Sequence, residues 1–580
     1  MINRNKLALI TVGSLFVLAA VGYMVLTAGN SPGSQTGPQQ KEPAAAANAE
    51  KAPDATPTAK LPVIQKVVAN SATVDLYAKF ELTFELDADY KNPYDPREID
   101  VSMDLTSPSG KNWSVNGFYD GTGFAWKVRF SPDEAGKWSY KLRATAAGTS
   151  SSEGPQGSFE AAPSDNRGWI QVSDGNKRYL EYRDGSSFYG VGVAYPWGIT
   201  DANLDKIAEH GGNLITYWNG NYDSSGNGGG SNQLQSVTFG VQKIDPLKAK
   251  RIDDLIESFE QRELHMNFVI WPHDSLADTL DGWPKAWEKS GYSALGEAKD
   301  FFTDQEMWVY QEHLYRYIIA RWGYSSAIGI WDLVCEINGT DGWVQGSTAD
   351  TDAWTAKVHS YFKEHDPYGH PTMGSMAGNR QDYWDYGYKT LDLADRENYY
   401  NLSYKAYAQD IRKRWDSYEK PLIIGETGNV TDTLKYHQSI WISLASGLAS
   451  SPFWWDFGQV SDDMFQHMKH LAAFTAGIDF REKRIPVSSA EGDEGGQAQA
   501  WAMQGELQSY GWLLAENGGA GGKSVTLPSW PAGTYTLSWY DPWTGVSLAA
   551  GSVEAADGKL VLVSPPYTAQ SDLAFTITLN

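Results

Sequence analysis

An α/β chain built round a (β/α)8 TIM barrel, with a β-sandwich on either side, is what this sequence predicts. Three observations carry the expectation. Between about 188 and 475, apolar strand-like runs alternate with helical periods, the signature of repeated βα units. Eight such runs occur there, the number a closed parallel barrel of about 250 residues uses. On both flanks the pattern returns to short alternating strands separated by turns.

Taken in order, the chain begins with Arg4 and Lys6 before an apolar run, Leu7–Gly29, of 23 residues. A secretory signal core spans about 7–15 residues and a membrane helix about 20. Residues 1–29 therefore read as a signal anchor, or else a long signal peptide, with the positive flank kept in the cytoplasm and the remainder exported. Residues 30–61 are rich in Pro, Ala, Gln and Ser and read as a solvated linker. Residues 62–165 are expected to form an Ig-like β-sandwich, with strands at Lys79–Leu86, Asp100–Leu105 and Ala125–Phe130. Its Asp95, Glu98 and Asp100 read as solvated surface acids rather than a calcium site.

Residues 166–478 hold the barrel. The expected strands are Tyr189–Tyr195, Asn213–Trp218, Met266–Trp271, Ile328–Cys335, Thr372–Ala377, Leu391–Tyr399, Leu422–Glu426 and Pro452–Asp456. A helix over Asp304–Arg321 places Met307, Tyr310, Leu314 and Ile318 on one face, with Gly323 as its stop. The Gly/Ser-rich Asp223–Gly230 fits an inserted loop after the second strand. Residues 479–580 return to β, with strands at Gln497–Met503, Tyr510–Leu514, Thr534–Tyr540 and Leu560–Val563.

Composition removes several functions. The formal net charge of −24 repels phosphate backbones, so no nucleic-acid partner is expected. The single cysteine, Cys335, excludes an intrachain disulfide and any cysteine-clustered metal site. No Gly-rich phosphate loop or metal-spaced histidine cluster appears, so neither cofactor nor metal is implied. The 24 tryptophans suit both core packing and sugar platforms.

Two glutamates sit just past apolar runs: Glu336 in Trp331–Asn338 (WDLVCEIN) and Glu426 in Pro421–Gly428 (PLIIGETG). They lie 90 residues apart, close to three βα units of about 31 residues each. That places them on the fourth and seventh strands, facing each other where barrel active sites form. Glycosidic cleavage needs such a pair, one carboxyl to protonate the leaving oxygen and one carboxylate to attack or to activate water.

The segment Arg316–Asn338 (RYIIARWGYSSAIGIWDLVCEIN) resembles the strand-four region of clan A glycoside hydrolases, Pro421–Gly428 their strand-seven nucleophile strand, and Phe453–Trp455 their strand-eight tryptophan. The layout also resembles candidate bacterial glycosidases, apiosidase-like barrels among them. These carry an N-terminal β-domain of unassigned function, matched by Tyr90–Lys141, and a C-terminal domain of collagen-binding type, matched by Gly511–Gly545. The resemblance implies Glu336 as acid/base and Glu426 as nucleophile. It implies Tyr399, with Tyr400 as its rival, as the hydroxyl bonding the nucleophile, Trp454 or Trp455 as the sugar platform, and His273 as a sugar contact. Around the expected mouth lie Trp197, Trp218, Trp271, Trp283, Trp287, Trp343 and Trp384, of which Trp218 and Trp343 are the chosen platforms.

Two departures stand out. The clan's asparagine before the acid/base is Cys335 here, a weak donor, and the strand-two arginine is missing from Leu214–Trp218 (LITYW). The expected function is a retaining glycoside hydrolase acting on a polysaccharide or oligosaccharide outside the cytoplasm, tethered to the membrane by its N-terminal helix or secreted. The alternatives are a carbohydrate-binding barrel that has lost cleavage, and an adhesion or scaffold protein of the cell envelope.

Overall fold

The structure, a computed structural model, describes residues 60–580 apart from 124, 221–232, 281–284, 379–383, 400–402, 429, 490–496, 517 and 567–570. The apolar run Leu7–Gly29, almost all of the linker and the Asp223–Gly230 insertion lie outside the described residues. Among the described residues no helix is long and apolar enough to cross a membrane.

The N-terminal part is a curled sheet of short, mostly antiparallel strands, including Phe80–Asp87, Ile99–Thr106, Asn112–Tyr119, Trp126–Phe130 and Gly136–Ala146. Alternation drives it. In Phe80–Asp87, Phe80, Leu82 and Phe84 turn inward and the residues between them face outward. Their inner faces meet Met103, Val128, Leu142 and Trp138 in one apolar core.

This sheet rests on the helix Gln305–Trp322, which starts where the Asp304 side chain accepts from the Met307 N–H at 2.8 Å. The contact is clamped by Asp253, on the helix Pro246–Glu260. Its carboxylate takes Arg129 Nη1 of the sheet at 2.8 Å, Arg321 Nη2 at 2.6 Å and Trp322 Nε1 at 2.8 Å. Burial pushes this carboxyl up, but the two guanidinium groups outweigh it and hold it well below the ordinary range. Of the acids expected to be solvated, Asp95 and Asp100 meet the helix Gln305–Trp322 and Glu98 bonds local backbone. Asp95 is buried between Arg97 and His313, Asp100 pairs with Arg316, and Glu98 accepts from the Lys91 and Asn92 N–H groups. His313 and Arg316, which meet Asp95 and Asp100, lie more than 200 positions downstream and could not be read locally, whereas Arg97 is only two residues from Asp95 and Asp100 keeps a half-exposed surface position.

The central part carries a parallel series in the expected order: Gly192–Ala194, Leu214–Trp218, His265–Val269, Ile328–Asp332, then Thr372–Met373 with Ser375–Met376, Ala394–Arg396, Leu422–Ile423 with Thr427–Gly428, and Trp454–Trp455. Each strand pairs in parallel with the next, the fifth and seventh being broken into two pieces. Val193 of the first strand also pairs with Trp454 of the eighth, so the series curls back on itself. Helices lie between the strands, and the second, third and fourth strands are buried at almost every position, polar Thr216, His265, Asn267 and Asp332 included, as strands covered on both faces are.

The C-terminal part is a second, antiparallel sheet that includes Ala498–Gly505, Gln508–Ala515, Gly533–Asp541 and Asp572–Leu579. It packs on the helix Thr433–Ser446 through a buried polar knot. His437 Nε2 lies 2.8 Å from Asp572 Oδ2, which also accepts from Trp512 Nε1 at 2.7 Å, while Trp543 Nε1 reaches Oδ1 at 2.6 Å.

Candidate active site

Glu336 follows the fourth strand in a left-handed conformation, φ 54° and ψ 58°. A side chain there costs on the order of 1–3 kcal/mol, so surrounding bonds must impose it. One such bond runs from its N–H to Ser375 Oγ at 2.7 Å. The Ser375 hydroxyl in turn donates to Glu397 Oε1 at 2.7 Å, which links the fourth, fifth and sixth strand ends.

Glu426 is flanked by two glycines whose lack of a side chain is required. A Cβ on Gly425 would collide with the Asp395 carboxylate, and one on Gly428, at φ 95°, with the Trp454 ring. Tyr399 at the sixth strand end donates to Glu426 Oε2 at 2.7 Å. Cys335 Sγ lies 3.7 Å from Glu426 Oε1 and 3.5 Å from Glu397 Oε1. On the far side, His273 Nδ1 is 3.0 Å from Glu336 Oε2. The cluster therefore runs from Tyr399 through Glu426, Cys335, Glu397 and Glu336 to His273.

All three carboxyls are buried, and their titration follows from what each faces. Burial and the Glu336 charge push Glu426 well above the ordinary range, against the bonds from Tyr399 and Cys335. Burial, with Glu336 and Glu426 alongside, pushes Glu397 up as well. Burial also acts on Glu336, but the hydrogen bond with Glu397 and the His273 charge overcome it and hold Glu336 low. His273 is raised in return: the Glu336 partner outweighs its burial. Burial pushes the Cys335 thiol well up, so it is neither a thiolate nor a nucleophile at rest. Cys335, Glu397 and Glu426 each present one potential ligand atom within 4.8 Å of the others, a spacing that could admit a metal ion and that the spacing of residues in sequence did not suggest.

The aromatic residues divide. Trp218, Trp197 and Trp455 form a connected group, with centroids 5.8 Å apart for Trp197–Trp218 and 5.4 Å for Trp218–Trp455. Trp218 meets the His273 ring edge-on at 5.7 Å, and Trp218, Val269 and Cys335 form one small apolar cluster. Trp454, by contrast, is fully buried with its Nε1 donating to Val430 O, so it belongs to the core and not to a sugar platform. Adjacent strand residues face opposite ways, which is why only one of the two tryptophans could face the glutamates. Trp343 packs edge-on against Trp384 at 6.5 Å and joins no ring of the glutamate cluster among the described contacts. Trp271, Trp287 and Trp384 are buried, each with its indole N–H bonded to protein. Trp283 and Tyr400 lie outside the described residues.

Glu397 is the group that sequence reasoning missed. A signal existed, because Glu397 stands two residues before Tyr399 and strand periodicity sends both to one side.

Residues 73–145 match the family model for a domain of unknown function, DUF5060. No curated protein matches the sequence. Among solved structures, the chain is similar to a candidate glycoside hydrolase from Bacteroides vulgatus ATCC 8482, with 18% identity and a TM-score of 0.61 over 88% of this chain and 100% of that one. A structure named simply glycoside hydrolase aligns with 14% identity and a TM-score of 0.49, covering 71% of this chain and 97% of that one. A GH30 endoxylanase from Clostridium papyrosolvens C71 aligns with 12% identity and a TM-score of 0.41, covering 71% and 100%. The first likeness defines the class of fold, a mixed α/β architecture found in glycoside hydrolases, and at that identity it speaks of fold alone.

Proposed function

We propose that the protein is a retaining glycoside hydrolase that cleaves a polysaccharide or oligosaccharide outside the cytoplasm. In this reading the parallel series closes into a (β/α)8 barrel, the two flanking sheets are β-sandwich domains, and the exported address follows from Leu7–Gly29. The observation that carries the proposal is the meeting of Glu336 and Glu426, from the fourth and seventh strand ends, in one buried cluster with Tyr399 bonded to Glu426 Oε2. Glu426 attacks the anomeric carbon and Glu336 protonates the departing oxygen. Water then releases the sugar, with Glu336 taking the water's proton. Trp455 and Trp218 supply apolar faces for a sugar ring, and His273 orients Glu336. Cys335 stands where the clan's amide would touch the sugar's 2-hydroxyl; its thiol faces Glu397 and Glu426 instead, which supports an unusual sugar.

Azide separates the roles. A panel of polysaccharides and activated aryl glycosides first identifies a substrate, and the alanine variants are then assayed on the aryl glycoside. In Glu336→Ala the glycosyl-enzyme still forms and azide gives a product of retained configuration. In Glu426→Ala azide displaces the leaving group directly and inverts the centre. The opposite pattern exchanges the roles, and undiminished activity in both variants ends the paired-glutamate mechanism.

A further inference from the structure

A two-carboxyl mechanism leaves Glu397 and Cys335 without a task, yet the fold brings both to the nucleophile. Cys335 Sγ lies 3.5 Å from Glu397 Oε1 and 3.7 Å from Glu426 Oε1, and the three groups offer ligand atoms within 4.8 Å of one another. Zinc bonds sulfur at about 2.3 Å and carboxylate oxygen at about 2.1 Å, so a tetrahedral ion holds two such ligands about 3.6 Å apart. Both sulfur–oxygen distances already have that value to within about 0.1 Å.

Charge points the same way. Cys335, Glu397 and Glu426 are 3%, 1% and 5% exposed, and buried carboxylates are normally paired with a cation or coordinate a metal. Among the described residues no lysine, arginine or histidine forms an ion pair with Glu397 or Glu426, and the histidine of the cluster, His273, meets Glu336. Glu397 Oε2 receives no N–H and no serine, threonine or tyrosine hydroxyl among the described residues. Outer hydrogen bonds orient both carboxylates, as they do for carboxylates that hold metals: Ser375 donates to Glu397 Oε1 and Tyr399 to Glu426 Oε2.

We propose that Cys335, Glu397 and Glu426 bind one thiophilic divalent cation of the zinc class, and that the bound ion blocks glycoside cleavage by occupying the nucleophile. The blocking half rests on the retaining-glycosidase reading; the binding half does not. One sulfur and two carboxylates suit zinc, whereas magnesium and calcium take shells of oxygen alone. Three protein ligands leave a fourth position for water. On binding, the Cys335 S–H bond breaks, its proton leaves for solvent, and a Zn–S bond forms with no change of oxidation state. Glu426, bonded to the ion, is no longer free to attack the anomeric carbon. An asparagine at this position, as in the clan, offers no thiolate, so the cysteine is what selects zinc.

The full chain, stripped with a chelator, is titrated with zinc by calorimetry and with cadmium by ultraviolet absorption. One ion should bind per chain with release of about one proton, and cadmium should raise a thiolate charge-transfer band. Cys335→Ser should abolish the band, and both it and Glu397→Gln should weaken zinc binding about tenfold or more. Magnesium and calcium should not compete. Should the variants not fold, X-ray absorption of zinc-loaded wild type decides, because its shell must contain one sulfur at about 2.3 Å and the chain has a single cysteine. A shell of nitrogen and oxygen alone, or zinc binding unchanged in Cys335→Ser, overturns the proposal. So does the lack of saturable binding, the result expected of a thiol that only hydrogen-bonds its carboxylates. On the aryl glycoside that the panel identifies, saturating zinc should abolish turnover and a chelator should restore it; undiminished or increased turnover with the ion bound overturns the blocking half. If metal-free wild-type protein cleaves no glycoside, the glycosidase reading fails, while the titrations and the X-ray absorption still decide the site.

Discussion

Tyr399→Phe removes one hydroxyl and almost no volume, and the structure says what that hydroxyl does. It donates to Glu426 Oε2 at 2.7 Å inside a buried cluster. A hydrogen bond to a charged group is worth about 1.5–3 kcal/mol, and each 1.36 kcal/mol is tenfold in rate, so attack by Glu426 should slow by about 10- to 150-fold. The sign of the pH effect also follows. The hydroxyl favours the ionised carboxylate, so its loss pushes Glu426 further above its ordinary range, and the acidic limb of the kcat/KM profile should move to higher pH. The assay is kcat/KM against pH for wild type and variant on an aryl glycoside, with the burst phase reporting formation of the glycosyl-enzyme. A fall of less than threefold with an unmoved acidic limb would refute Tyr399 as the partner of the nucleophile.

Other consequences can be measured in the same preparations. Asp253→Ala leaves Arg129 and Arg321 buried without their shared carboxylate and should cost about 3–5 kcal/mol in urea titration; a loss under 1 kcal/mol would show that this clamp contributes little. His265 is held neutral, pushed down to about 4 by burial. The unfolded chain therefore takes up a proton near pH 6.5 that the native state refuses, and stability should fall as pH drops from 6.5 to 4, by roughly 3 kcal/mol for this residue. His265→Gln should flatten the urea midpoint over that window. The buried, protonated Cys335 thiol should resist iodoacetamide in the native protein and react after unfolding. Cys335→Asn should shift substrate preference in folded protein, and loss of folding alone would mean that the thiol serves packing only.

The parts read correctly from sequence are those whose signal is local. Alternation in Phe80–Asp87 and the apolar runs of the parallel series are written in neighbouring residues, so those strands fall within a few positions of expectation. The helix before the fourth strand starts at the Asp304 cap and stops at Gly323 because capping, too, is a near-neighbour effect. Glu336, Glu426, Tyr399, His273 and Cys335 were legible as strand-end residues, and the fold brings them into one cluster. Asp95, read as solvated, is instead buried beside Arg97 and His313, the latter arriving from a distant helix, while Asp100 keeps a half-exposed surface position beside Arg316.

Sequence by itself determined the order of strands and helices, the two glutamates at strand ends, and the fact that only one of Trp454 and Trp455 could face them. Only tertiary structure decided that Trp455 packs with Trp197 and Trp218 while Trp454 is core, that Trp343 packs elsewhere, and that Glu397 is a third carboxyl in the glutamate cluster. The physical reason is range. Periodicity and caps act over a few residues, whereas the protonation state of a buried carboxyl is set by every charge within a few ångströms, and here those charges come from the ends of four different strands.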